Sequence, residues 1–289
     1  MNAIKQLQQK YGSREARALY ELVLGTRFGL SRTDILLGKD TTLSAKDKAE
    51  LQIIIDRVAK GEPVQYVLGS EEFCGRTFLV TPDVLIPRPE TQQLVRLVEQ
   101  NVAPGSSVLD IGTGSGCIAI TLALAGYRVS AIDVSEEALA VACKNAERLG
   151  AEVKFAKEDI LGQSARCKVQ EDCNLYSTVP RPMPLAPYSA IVSNPPYVCE
   201  SEAATMDENV LLHEPHLALF VPDNDPLLFY RAIAEYGRKH LTDEGWLFFE
   251  ANRAYCEQVW ELLLQKGYED VHIMNDQYDN KRFVCARKK

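Results

Sequence analysis

Val108-Leu109-Asp110-Ile111-Gly112-Thr113-Gly114-Ser115-Gly116-Cys117 reads as a short strand, a glycine turn and the start of a helix. Apolar β-formers without a polar alternation mark a strand buried on both faces. The glycines allow a tight turn and a close backbone approach, and the apolar run from Cys117 to Ala125 carries the helix. Outward from this stretch the pattern repeats. Arg128 to Ile132 is a second strand ending at Asp133, Ser135 caps a helix to Leu149, and Glu152 to Phe155 is a third strand. Tyr188 to Ser193 and Gly245 to Glu250 are further strands. Pro226 to His240 and Tyr255 to Lys266 are helices. Strands alternating with helices predict a doubly wound, mostly parallel sheet.

The C-terminal end departs from that pattern. Val271 to Met274 and Phe283 to Ala286 are strands separated only by Asn275 to Arg282. A parallel crossover needs a dozen or more residues, so the last strand runs antiparallel to its neighbour. The segment from Leu161 to Pro187 contains Pro180, Pro182, Pro184 and Pro187 and reads as a long exposed loop.

The turn spacing is G-x-G-x-G, not the G-x-G-x-x-G that aims a helix at a pyrophosphate. Asp110 stands where it can orient Gly112, Thr113, Gly114, Ser115 and Gly116 through backbone N–H groups. Asp133 ends the next strand, where an acidic side chain meets ribose hydroxyls. Asp159 follows the third strand and can accept from an adenine amino group, with Ile160 packing on the ring. Together these residues predict a nucleoside-cofactor site.

A second constellation is Ile191-Val192-Ser193-Asn194-Pro195-Pro196-Tyr197. Neither proline can donate to a ladder, so the strand ends at Ser193 and a stiff loop projects from its carboxyl end. That end of an open α/β sheet is where ligands bind. The Asn194 side-chain oxygen and the Pro195 carbonyl can each accept one N–H of a planar NH2 group. Pro196 stiffens the loop, and Tyr197 can pack on the flat group. The other reading is a turn that only ends a strand.

Upstream, residues 1–61 read as small helices. Ser13 starts one that Gly25 can end, Ser31 with Asp34 forms a capping box, and Ser44 caps another with Leu51, Ile54, Ile55 and Val58 on one face. Residues 62–88 read as a β-hairpin linker built from Val64–Leu68 and Arg76–Val80. In Ile86-Pro87-Arg88-Pro89-Glu90-Thr91, Arg88 is either an active-site lid residue or a solvated loop charge. Residues 89–289 form the sheet domain.

Composition narrows the function. The 289 residues carry a net charge of −8, which counts against a protein that grips nucleic acid through phosphates. No segment has the length and apolarity of a membrane span, and the N-terminal stretch lacks a signal-peptide core. Eight cysteines without a C-x-x-C pair fit reduced thiols in the cytoplasm better than a disulfide framework or zinc site. His213-Glu214-Pro215-His216 is a poor metal pair because Pro215 spoils helical ligand spacing, so no metal is expected.

The assembled residues resemble the HemK/PrmC family of release-factor glutamine methyltransferases. The resemblance rests on Val108 to Gly116, Leu85 to Thr91, Ser193 to Tyr197, Glu214-Pro215 with Ala218-Leu219, and Arg282-Phe283-Val284. It implies a class I methyltransferase fold that uses S-adenosylmethionine and releases S-adenosylhomocysteine. The implied reaction methylates the side-chain amide of the Gly-Gly-Gln glutamine in class 1 peptide chain release factors, with the helical domain recognising the release factor. Asn194, Pro195 and Tyr197 are then catalytic, Pro196 and Arg88 bind substrate beside them, and Asn194 also borders the cofactor. Asn-Pro-Pro-Tyr is shared with adenine-amino methyltransferases, so methylation of adenine in DNA or RNA is the runner-up. A docking protein that binds the cofactor without catalysis is a third reading. Two departures from the family stand out. The Leu161–Pro187 segment is long, and Ala251-Asn252-Arg253-Ala254 replaces an expected glycine and glutamine. Neither is expected to touch the amide-gripping residues.

Overall fold

A computed structural model describes residues 3–162 and 187–289. Most of the long Leu161–Pro187 segment therefore lies outside the described residues. The chain forms two compact units, one of Met1–Ser70 with Met206–His213 and one of Glu71–Thr205 with Glu214–Lys289.

The first unit is helical: α1 (Ala3–Leu7), α2 (Ser13–Phe28), α3 (Arg32–Leu36), α4 (Ala45–Ala59), α5 (Val64–Leu68) and, from the second segment, Glu208–His213, α9 in chain order. The predicted face of α4 (Leu51, Ile54, Ile55, Val58) packs with Leu7, Ala16, Tyr20, Val23 and Leu24. The Ser31–Asp34 capping box and the Ser44 cap both form. Two expectations change. The helix from Ser13 runs through Gly25 to Phe28 and is closed by Gly29 at φ 67°. A glycine is tolerated inside a helix, and the left-handed stop falls at the later one. Val64–Leu68 is helical, not a strand. Pro63 enters it at φ −53° and Gly69 closes it at φ 73°, with Val64 and Tyr66 buried. In α9, Glu208 pairs with Lys10 at 3.4 Å and Asn209 Nδ2 donates to the Tyr11 hydroxyl at 3.4 Å.

The second unit opens with the hairpin β1 (Ser70–Phe73) and β2 (Arg76–Leu79). Its centre is a seven-stranded sheet. Between helices α6 (Thr91–Asn101), α7 (Cys117–Leu124) and α8 (Glu136–Leu149) run β3 (Ser107–Ile111) and β4 (Arg128–Asp133), followed by β5 (Val153–Lys157) and β6 (Tyr188–Ser193). A small pair, β7 (Val198–Cys199) and β8 (Phe220–Val221), precedes α10 (Leu228–His240), β9 (Leu241–Glu250), α11 (Cys256–Gln265), β10 (Tyr268–Asn275) and β11 (Lys281–Lys288). The order is β10-β11-β9-β6-β3-β4-β5. β9, β6, β3, β4 and β5 are mutually parallel, and β11 inserts antiparallel between β9 and β10. Alternate residues feed two cores. Val108, Val129, Val192 and Phe248 join one, while Leu109, Ile132, Ile191 and Phe249 join the other. The strand order reverses at β3, between β4 and β6, and such a switch point opens a crevice at the carboxyl ends.

Cys74, Cys117, Cys199, Cys256 and Cys285 are free thiols.

Candidate active site

At that crevice the end of β3 folds back on β4: the Gly112 and Thr113 N–H groups donate to the Ile132 carbonyl at 2.9 and 3.1 Å. Gly112 and Gly114 have φ of 73° and 54°, and a Cβ built on either meets nothing within 4 Å. These two glycines therefore leave open space over a left-handed backbone, the arrangement a bound molecule needs for close approach. Gly116, at φ 80°, does a different job, because a Cβ there would stand 2.8 Å from Ile120 and 3.1 Å from the Ala142 Cβ. It lets α7 pack on α8.

The carboxylates divide the work differently from expectation. Asp110 is fully buried and its Oδ2 accepts from the Thr113 hydroxyl at 2.7 Å, while its Oδ1 lacks a hydrogen-bond partner. Asp133 grips the loop backbone instead: Oδ2 accepts from Gly114 N–H at 2.8 Å and Oδ1 from Ser135 N–H at 3.0 Å. Burial pushes the Asp110 carboxyl up to about 7, against the Thr113 bond. Asp133 is raised too, burial outweighing the N–H groups of Ser135 and Gly114. Asp159 forms a local turn, its Oδ1 accepting from Leu161 N–H at 2.9 Å. A residue not singled out in the sequence anchors the turn from behind. The buried Asn145 donates to the Ser115 carbonyl at 3.0 Å and exchanges bonds of 2.7 and 3.0 Å with the backbone of Leu79. Only its place on the inner face of an otherwise ordinary amphipathic helix hinted at this role.

A cavity of about 550 Å³ lies over the turn, within the range of small-molecule sites. Gly112 to Ser115, Asp133, Asp159 and Ile160 line it, and so do Arg88, Asn194, Pro195 and Pro196. The fold thus joins the two constellations read separately from sequence. Gly116 and Asp110 stand behind the lining. Ser193 Oγ donates to the Ile111 carbonyl at 2.7 Å and fixes the β6 end beside the β3 end. Among the described lining residues Arg88 is the one cation, against Asp83, Asp133, Glu137, Glu158 and Asp159. Its Nη2 donates to Oε1 of the buried Glu214 at 2.6 Å.

Tyr197 does not line the cavity. Its hydroxyl donates to Glu250 Oε1 at 3.3 Å, and burial, reinforced by the Glu250 charge, pushes the phenol far up. Its carbonyl accepts from Asn252 Nδ2 at 3.1 Å. Asn252 belongs to the segment that departs from the family pattern, so the departure does reach the Asn194–Tyr197 loop, through its backbone. Asn194 Nδ2 donates to Thr91 Oγ1 at 3.3 Å, and Thr91 Oγ1 donates to Glu250 Oε2 at 2.7 Å. Neither Thr91 nor Glu250 was assigned to the site from sequence. The groove that joins them exists only after α6, β6 and β9 pack. No group of three or more His, Cys, Asp or Glu able to hold a metal occurs among the described residues, and none of their helices is long and apolar enough to cross a membrane.

A doubly wound sheet with one inserted antiparallel strand, a glycine turn and acidic strand ends define an α/β methyltransferase. A family model described as a methyltransferase domain matches residues 108–171, and one described as the PrmC N-terminal domain matches residues 1–69. The crystal structure of a methyltransferase from Pyrococcus furiosus has the same fold, with a TM-score of 0.51 at 17% identity over 85% of this chain and 99% of that one. A release factor glutamine methyltransferase of Bacteroides thetaiotaomicron is 45% identical, covering 98% of this chain and 96% of its own. One from Flavobacterium psychrophilum is 37% identical over 97% and 95%. The chain belongs to the release factor glutamine methyltransferase family.

Proposed function

We propose that this chain transfers a methyl group from S-adenosylmethionine to the side-chain amide nitrogen of a glutamine in class 1 release factors, the Gly-Gly-Gln glutamine. The observation that carries this reading is that Asn194 and Pro195 line one cavity with Asp133 and Asp159. The donor set fits a sulfonium nucleoside. Clustered carboxylates suit hydroxyl and amino donors and a positive charge, and would repel a pyrophosphate. When bound, the cofactor supplies an electrophilic methyl group. Asp133 would hold its ribose hydroxyls with the lone pairs left over from Gly114 and Ser135, and Asp159 with Ile160 would hold the adenine.

An amide nitrogen is a weak nucleophile because its lone pair is shared with the carbonyl. The side chains must therefore align it and stabilise the positive charge that grows on it. Asn194 Oδ1 and the Pro195 carbonyl accepting its two N–H groups do both. Tyr197 serves from below the loop, and Arg88 shapes the rim through Glu214. The helical unit supplies the surface that recognises the release factor, in the cytoplasm where translation ends. Nucleic acid and metal have no part in this reading.

The experiment offers labelled S-adenosylmethionine with a class 1 release factor, or with DNA and RNA. Label on the Gly-Gly-Gln glutamine, located by mass spectrometry, supports the reading. Label on adenine with the release factor untouched overturns it.

A further inference from the structure

The two ends of an asparagine amide have nearly the same shape, so only hydrogen-bond polarity decides which end faces where. Around Asn194 that polarity is set from a distance. Glu250 is 1% exposed and lies outside the cavity, while Thr91 and Asn194 line it. An ionised carboxylate only accepts. The 2.7 Å contact to Glu250 Oε2 therefore takes the one proton of the Thr91 hydroxyl. Thr91 Oγ1 then has only lone pairs to offer, and the neighbour at 3.3 Å must be the Asn194 NH2 group. Oδ1, the end a substrate NH2 needs, is left free to face the cavity. The other Glu250 oxygen receives the Tyr197 hydroxyl at 3.3 Å, so one carboxylate holds both ends of the Asn194–Tyr197 loop.

We propose that Glu250, acting through Thr91, is a positioning residue that fixes the Asn194 amide with its oxygen toward the acceptor nitrogen. The inference rests on the grip by Asn194 proposed above. It explains why a carboxylate is buried at the end of β9, where an apolar residue would cost less. Protonated Glu250 can donate to Thr91, which frees the Thr91 proton to turn toward Asn194 and removes the cue. Burial pushes the Glu250 carboxyl up to about 6, against the Thr91 bond, Arg282 on β11 and the Tyr197 hydroxyl, while Glu90 before α6 adds to the rise.

The test uses the full-length enzyme with whichever acceptor the wild type methylates, so a wrong acceptor assignment and a failure of the positioning role are read separately. Thr91→Val should lower kcat tenfold or more and leave the Kd of S-adenosylmethionine within about twofold. Thr91→Ser, which keeps the hydroxyl, should recover kcat to within about threefold. The wild-type kcat should fall off on the acid side near pH 6, and Glu250→Gln should lower kcat and abolish that limb. Side-chain NH2 resonances give a readout independent of turnover. One Asn194 Nδ2 proton should be protected from exchange in the wild type and in Thr91→Ser, and unprotected in Thr91→Val. Wild-type turnover or unchanged protection in Thr91→Val overturns the proposal. So does failure of Thr91→Ser to recover, or parallel loss of kcat and cofactor affinity.

Discussion

Arg88 and Glu214, 126 residues apart in the chain, meet at 2.6 Å, and the same carboxylate accepts from the Ile86 N–H at 3.3 Å. The Pro87-Arg88-Pro89 loop is thereby clamped to the segment after α9. The Glu214 side chain is 1% exposed and that of Arg88 34%. Arg88→Ala strands a buried carboxylate and Glu214→Ala strands a mostly covered guanidinium. With solvent screening of Arg88 allowed for, each should cost about 1–3 kcal/mol in urea unfolding. The double variant should cost clearly less than the two losses added. Strict additivity would show the pair is not coupled.

Asp133 accepts from the Gly114 and Ser135 N–H groups, and in the proposed function it also holds the ribose. Asp133→Ala removes both. Losing hydrogen bonds to a charged partner costs about 1–3 kcal/mol, so S-adenosylmethionine should bind ten- to a hundredfold more weakly by calorimetry. Unchanged affinity would take Asp133 out of the cofactor site.

Asn194→Ala removes one acceptor and leaves the proline stiffening intact. In the proposed function the charge it stabilises grows only during transfer, so kcat should fall about a hundred- to a thousandfold with little change in cofactor affinity. Asn194→Asp keeps an acceptor and should retain partial activity. A loss confined to KM would mean that Asn194 merely binds.

Asp110 carries a pH signature. Its carboxyl is raised to about 7 from an ordinary 3.8, by burial first. A raised folded-state value favours the protonated form in the native protein. The stability it contributes is complete below about pH 4 and is lost as pH rises through about 7. Asp110→Asn keeps an acceptor for Thr113 and cannot ionise. From pH 4 to 8 the ligand-free wild type should lose stability relative to this variant, by an amount on the order of a few kcal/mol. Parallel curves would show that Asp110 does not titrate with folding.

On the helical unit Leu36, Leu37 and Ile53 are 67%, 71% and 62% exposed. Exposed large apolar side chains of this kind suit a protein partner. Leu37→Asp and Ile53→Asp should raise KM for the release factor several-fold and leave Kd for the cofactor and the unfolding midpoint unchanged. No change in KM would place recognition elsewhere.

Much of this was legible because strand ends carry their own punctuation. Tyr188–Ser193 is found where its prolines stop it, and the short Asn275–Arg282 connection forces β11 to run backwards. The glycine turn and Asp133 reach one cavity because adjacent parallel strands end together. Val64–Leu68 was misread because five apolar-rich residues carry no period, and the flanking Pro63 and Gly69 serve a helix as well as a turn. The roles of Thr91, Glu250, Asn145 and Asn252 in the site were not assigned from the sequence. Each is an ordinary polar residue whose meaning comes from a partner between 30 and 159 residues away along the chain, among them Ser115 for Asn145, Tyr197 for Asn252 and Glu250 for Thr91 and Tyr197.

The helical unit takes back residues 206–213 after the chain has already built most of the sheet. Three covalent crossings therefore separate the units, not one. During synthesis the N-terminal helices emerge more than a hundred residues before α9 does, so Lys10 and Tyr11 wait for Glu208 and Asn209. If the helical unit recognises the substrate as proposed, swapping the N-terminal segment alone between relatives would graft only part of that unit. A working chimaera has to carry Met206–His213 from the same parent as residues 1–70.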